Sequence, residues 1–335
     1  MAILAVTLNT LSPALTKAVE PFCTKYGFPH LATHFPLALA SLVFWVSLQF
    51  ASALITPSLY APYKNLPRKT RVQWHVHLVA LVHAVIITPL AAAQWYAVRQ
   101  DGGLVGGKHP LAANRLYGYT VETGNVYAIA LGYFAWDVVV SALFDGPAFI
   151  AHGVVAMVAF TFVYHPIFMY DGLGFLLWEL STPFLNIHWF MDKTGNTGST
   201  AQLVNAFFLL SSYVLARLTF GVYNSYSWFK LVNFPATPHV PAIPLPIKLF
   251  YSIGNVTLNT LNFIWFRAMI AAVQKRFTSS PSDADKKRLA SGKVTPEEKE
   301  RASKADEDAR IMAGVGQESR EDLRRRVAAG QPVKA

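Results

Sequence analysis

Asp137, His152 and Glu179 are ionisable residues set inside apolar stretches of the chain, and chemistry is to be sought around them. An ionisable side chain is expensive in hydrocarbon, so it normally faces a protein interior or a watery cavity and marks a site or a pathway. At ~1.5 Å per helical residue, Asp137 stands roughly 10 Å from the end of its stretch at Phe144, and His152 roughly 6 Å from the start of the next at Ala148. The connection Asp145, Gly146, Pro147 is tight, which makes the two stretches antiparallel neighbours and brings both residues toward one end of a bundle. Two readings follow. An Asp beside an imidazole can form an oriented base, the carboxylate fixing the tautomer; equally, the pair can be an interhelical hydrogen bond that only holds helices together.

His83 adds another buried imidazole, while His75 and His77 stand at the entrance of the same stretch. No HExxH, CxxC or paired-carboxylate ladder accompanies them, so no metal site is expected. The segment Glu179, Leu180, Ser181, Thr182, Pro183, Phe184, Leu185, Asn186 is the most unusual of the chain. Pro183 cannot donate a backbone hydrogen bond and tends to kink or end a helix. Ser181 and Thr182 are then placed to cover freed backbone groups where Glu179 needs a partner. Such a polar kink either lines a lipid head-group site or simply interrupts the helix. Arg217 lies deep in another apolar stretch, where it must snorkel or pair with a carboxylate, snorkelling being the simpler outcome.

The elements that position these residues read as membrane spans. The 335 residues are 53% hydrophobic and only 14% charged, too apolar for a soluble protein of this size, and the expected fold is an all-α polytopic membrane protein. Seven spans are expected, over about 36–55, 74–96, 124–144, 148–164, 166–184, 201–223 and 244–273. Lys64, Arg68, Lys69 and Arg71 make the densest basic loop of the core and are expected to be cytosolic. An odd count then places the C-terminus on the cytosolic side and the N-terminus in the lumen. The net charge of +10 could suggest nucleic acid, but the 16 basic residues up to Arg276 sit mostly in connections and at span ends, a topology signal, so no nucleic-acid partner is expected. Cys23 is the only cysteine, which excludes an intramolecular disulfide.

Three regions are expected: a lumenal N-terminal segment over 1–32, a transmembrane domain over 33–276, and a charged, largely disordered cytosolic tail over 277–335. Arg324, Arg325 and Arg326 offer that tail a contact to a cytosolic protein or an anionic lipid, although a charged tail needs no partner to stay solvated.

His83 with Ala84, the run Ala128 to Asp137 (AIALGYFAWD), His152, and the run Glu179 to Phe190 (ELSTPFLNIHWF) together resemble the TLC domain family. That family is shared by ceramide synthases, translocation-associated membrane proteins and smaller TLC domain-containing proteins, and the last run is most similar to the smaller members. The resemblance implies an endoplasmic-reticulum or related endomembrane protein in which a ring of about seven helices surrounds a lipid-sized cavity. Ceramide synthases use a His-His pair and downstream aspartates to transfer an acyl group from acyl-CoA to a sphingoid base. Here Ala151 stands at the first position of the pair, and Glu179 belongs to a different pattern from those aspartates.

The leading expectation is therefore a protein that binds or senses membrane lipid and contributes to lipid homeostasis, with no cofactor. Its cavity would be lined by His83, Asp137, His152, Glu179, Ser181, Thr182 and Asn186. The alternative is an acyl-CoA-dependent N-acyltransferase with His152 as base or acyl carrier, Asp137 orienting it, and acyl-CoA as co-substrate. A third reading is a membrane adaptor acting through its loops and tail.

Overall fold

The structure is a computed structural model that describes residues 13–100, 107–235 and 241–278, with side chains described up to Gln274. Most of the charged tail expected over 277–335, and the first twelve residues of the N-terminal segment, lie outside the described residues. Those described are helical and contain no strand.

A short helix, α1 (Pro13–Lys25), leads into α2 (Leu31–Leu59), and a 3₁₀ turn (Ala61–Asn65) passes the chain to α3 (Arg68–Gln100). A one-turn helix, α4 (Pro110–Ala113), precedes α5 (Val121–Phe144) and α6 (Pro147–Phe162). Then comes a composite element: α7 (Met169–Leu176), a 3₁₀ stretch (Leu177–Ser181) and α8 (Thr182–Lys193). The chain continues through α9 (Thr200–Tyr213), a π-helical stretch (Val214–Phe220) and α10 (Gly221–Asn233), and ends in α11 (Leu245–Thr278).

Five of these are long and apolar enough to cross a bilayer: Leu31–Leu59, Arg68–Gln100, Val121–Phe144, Thr200–Asn233 and Leu245–Gln274. The chain is thus an all-α polytopic membrane protein. Two of the seven expected spans do not meet that standard as single helices. α6 is a shorter apolar helix, and the expected span over 166–184 is the interrupted α7–3₁₀–α8 element. The reason is local. Pro183 sits in the first turn of α8, where its missing N–H costs nothing, so the chain can tighten into the 3₁₀ stretch just before it and restart a helix.

Caps and starts follow the sequence. The Thr120 side chain accepts from Thr123 N to begin α5, Pro147 opens α6 directly after Gly146, and Ser199 accepts from Gln202 N at the start of α9. Phe168, buried and in the left-handed region at φ 59°, closes the turn between α6 and α7, its N–H donating to Leu116 O at 2.8 Å.

Helix packing uses small and polar residues, as expected where lipid tails remove the hydrophobic drive for association. On α5, Gly132 lets the helix approach α2 so closely that a methyl group there would collide with the Ala38 carbonyl. Ser41 Oγ donates to Ile129 O at 2.8 Å across the same contact. Trp136 Nε1 reaches back to Gln49 Oε1 at 2.8 Å. At the far end of the bundle Arg115 pairs with the buried Asp171 and donates to Ser227 Oγ at 3.1 Å, while Asn224 Nδ2 donates to Asp171 O at 3.2 Å. That cluster ties the α4–α5 connection, α7 and α10 together. The outer faces carry the large exposed apolar side chains, among them Phe50 and Leu54 on α2, Phe207 on α9 and Ile253 on α11, the faces a bilayer would wet.

Candidate functional site

Two irregular helical stretches build the centre of the site. The π-helical stretch Val214–Phe220 carries one residue more per turn than its flanks and turns Arg217 inward. Opposite it, the 3₁₀ stretch Leu177–Ser181 leaves backbone and hydroxyl acceptors that the guanidinium covers. Arg217 Nε donates to Trp178 O at 3.0 Å and Ser181 Oγ at 3.1 Å, Nη1 to Asn262 Oδ1 at 3.1 Å, and Nη2 to Thr182 Oγ1 at 3.4 Å. Nη2 also stands 3.9 Å from Glu179 Oε1. The expectation that Arg217 snorkels is therefore overturned: its neighbours on the composite element supply enough acceptors to hold the charge inside.

Arg217, Glu179, Ser181 and Thr182 line a cavity of about 160 Å³, whose wall also carries Asp137, His152, Asn186 and His77. Asp137 packs against α6 where Gly153 leaves space; a methyl at Gly153 would lie 2.8 Å from Asp137 Oδ2. No hydrogen bond joins Asp137 to His152 among the described residues, so the oriented dyad is not formed. Both residues face the cavity instead, and neither is tied to another polar group. The His152 ring packs edge-on to Phe134 and Trp265, with centroids 6.3 and 5.8 Å away. Glu179 is 7% exposed, the Thr182 hydroxyl lies against its carboxyl, and its Oε2 has no hydrogen-bond partner.

Of the residues singled out by sequence, Asp137, His152, Glu179, Ser181, Thr182 and Asn186 thus share one wall. His83 does not. It is fully buried behind that wall, stacked on the cavity-lining Tyr133 at 3.5 Å, with neither ring nitrogen hydrogen-bonded. Sequence reasoning missed His77, Gln73, Ser141, Asp145 and the inward position of Arg217. His77 Nδ1 donates to Asn186 Oδ1 at 2.6 Å and its ring stacks on Trp189 at 4.1 Å. The four-residue interval from Gln73 to His77 puts both on one face of α3, a signal that was available.

Asp145 caps α5 just outside that span, accepting from Gln73 Nε2 at 2.8 Å and Ser141 Oγ at 3.3 Å. Burial raises its carboxyl above the ordinary carboxylate range, against these two donors and the nearby Lys69 charge. Among the described residues no three His, Cys, Asp or Glu side chains converge to hold a metal ion.

A second cavity, of about 70 Å³, shares Phe134, His152 and Glu179 with the first. Its other walls are mostly apolar: Val155, Ala159 and Phe160 from α6, Phe168 and Phe175, and Tyr251 with Leu258 from α11. The polar chamber begins near the Asp145 end of the bundle, and the apolar one runs toward the Phe168 end, where Asp171 and Trp228 stand. The two cavities adjoin at Phe134, His152 and Glu179, one with several polar groups on its wall and the other mostly apolar.

Comparison with known proteins agrees with this architecture. The TLC domain model matches residues 73–271, from the first polar wall residue on α3 to the end of the α11 contribution. An uncharacterized TLC domain-containing protein of Schizosaccharomyces pombe is 35% identical over 267 residues, covering 78% of this chain and 87% of the relative. TLC domain-containing protein 4-B of Danio rerio is 27% identical over 68% of this chain and 83% of its own length. Topoisomerase I damage affected protein 4 of Saccharomyces cerevisiae is 22% identical, with 78% and 94% covered. On the match to the family model and on the identity and coverage of the fission-yeast relative, the chain belongs to the TLC domain family.

Proposed function

We propose that this multi-pass membrane protein binds a membrane lipid in its helical cavity and, as a sensor or holder of that lipid, contributes to lipid homeostasis in the endoplasmic reticulum or a related endomembrane. The observation that carries the reading is the coincidence of uncommitted polar groups with an apolar chamber. Asp137, His152 and Glu179 Oε2 stand on the wall of a cavity with no hydrogen-bond partner in the protein, and a second cavity walled mostly by aliphatic and aromatic side chains adjoins it. A buried polar atom without a partner costs about 1–3 kcal/mol, which a ligand supplying that partner recovers. An apolar chamber likewise favours a hydrocarbon chain over water. Acyl transfer ranks second. His152 is accessible at the junction, but no carboxylate orients its ring, and an imidazole base needs its tautomer fixed.

Mass spectrometry of lipids retained by detergent-purified protein tests the proposal. Wild type and His152→Ala are expected to retain the same non-covalent lipid. Val155→Trp, which fills the apolar chamber, is expected to lose it or shift to shorter chains. An acyl adduct on wild-type His152 would favour the transferase, and protein purified without lipid, together with an unchanged lipidome on deletion, would end the lipid-binding reading.

A further inference from the structure

The polar chamber ends, on the Asp145 side of the bundle, at residues of a different kind from those that seal its neighbouring seam. Gln73, Ser141 and Asp145 all line it there. Gln73 and Ser141 are each 2% exposed, whereas Asp145, which caps α5, is half-buried and borders both the chamber and the outside. Its two carboxyl oxygens are divided between two helices. Gln73 Nε2 on α3 donates to Oδ1 at 2.8 Å, and Ser141 Oγ on α5 donates to Oδ2 at 3.3 Å. The titratable groups near this carboxyl are Lys69, one turn before Gln73 on α3, and Asp137 and Tyr133, two and three turns deeper on α5.

The adjoining seam, between α3 and α8, is closed by rings. Trp74 packs edge-on against Trp189 and Phe190, with centroids 6.1 and 4.8 Å away, and His77 stacks on Trp189. Parting that seam would expose large buried aromatic surfaces. Between α3 and α5 the Gln73 amide meets the Asp145 carboxyl instead, and such a bond exchanges for bonds to water at a small net cost. Space for the movement is present: a methyl group at Gly146, the next residue of the turn, would meet nothing within 4 Å.

We infer that Gln73 and Asp145 form a latch over the polar chamber. Closed, it bars small polar solutes at the Asp145 end; opened, by exchange of the Gln73–Asp145 bond for water, it admits them. The inference goes beyond the lipid-binding reading, since it concerns the way in and holds whatever occupies the chamber.

Cys23 is the only cysteine, so Cys23→Ala provides a background in which Ala80→Cys is the single thiol. Ala80 lines the chamber ~10 Å deeper along α3 than Gln73. On this full-length protein in nanodiscs, the reaction rates of a permanently charged methanethiosulfonate and of an uncharged, lipid-soluble maleimide are compared. Gln73→Leu, which keeps the bulk and removes the donor, is expected to speed the charged reagent about tenfold, the shift that loss of one hydrogen bond to a charged group implies, and to leave the maleimide rate unchanged. Gln73→Glu sets two carboxylates face to face and is expected to react as fast at neutral pH. On acidification its protonated carboxyl regains a donor, and its rate is expected to fall back to that of the Gln73 protein at the same pH. An unchanged charged-reagent rate in Gln73→Leu overturns the latch, and so does an equal gain for both reagents, which marks a general loosening. Should Gln73→Leu not purify as monodisperse protein, Gln73→Glu decides alone: a rate in fixed ratio to the Gln73 protein across pH overturns the latch as well.

Discussion

At the scale of single residues, Arg217 organises the site. It is the one described cation that contacts the composite element from the π-helical stretch, and it satisfies Trp178 O, Ser181, Thr182 and Asn262 while neutralising the field of Glu179. Removing one member of a buried ion pair leaves the other charge uncompensated, which costs about 3–5 kcal/mol, whereas replacing both by apolar residues of similar volume is often tolerated. Arg217→Met is expected to lower thermal stability in detergent sharply, and the double variant Arg217→Met with Glu179→Met to recover much of the loss. A double variant no more stable than the single one would mean that Arg217 acts through the Trp178 and Asn262 contacts alone. His83 is a contrasting case. Its position inside an apolar span drew it into the expected cavity set, but its ring is spent on stacking with Tyr133, and it shapes the wall from behind.

At the scale of elements, the site is made by departures from α-helical geometry that hydrophobic pattern does not record. The apolar stretch over 201–223 reads as one uninterrupted helix, since a π turn changes neither composition nor mean hydropathy. Inward rotation of Arg217 was therefore not legible, and of the two readings the sequence left open, snorkelling and pairing with a carboxylate, snorkelling was the simpler. The break before Pro183 was legible, because proline announces itself, and so were the polar residues around it. The partners these residues would choose were not, since those come from α9, the π stretch and α11, far away in sequence. Deleting Leu215, a residue 61% exposed on the outer face, should return the π stretch to α-helical register and swing Arg217 away from Trp178 and Thr182. Loss of retained lipid and of thermal stability is expected for the deletion, with Leu215→Ala close to wild type. If the deletion protein retains lipid normally, the π stretch does not set the position of Arg217 in the way argued.

At the scale of the molecule, the all-α membrane architecture was legible in the composition and the family in its motifs, and six of the seven residues expected to line a cavity stand on the wall of one. Asp137 and His152 were placed toward the same end of the bundle by arithmetic on a tight turn, and both do reach one cavity. Whether they touched depended on the rotation of α5 against α6, which depth cannot give; Asp137 and Val138 pack where Gly153 leaves space. The same division separates the membrane core from the charged segment that follows it. Among the described residues both cavity walls lie between Gln73 and Met269, so the membrane core is expected to retain lipid without what comes after Thr278. A protein truncated after Thr278 is expected to purify with the same lipid, in the same amount, and to melt at the same temperature as the full chain. Loss of the lipid from a monodisperse truncated protein would place part of the binding determinant in the charged segment and bring forward the adaptor reading. Retention of the lipid with loss of the cellular effect would separate lipid binding, in the core, from signalling by residues 279–335.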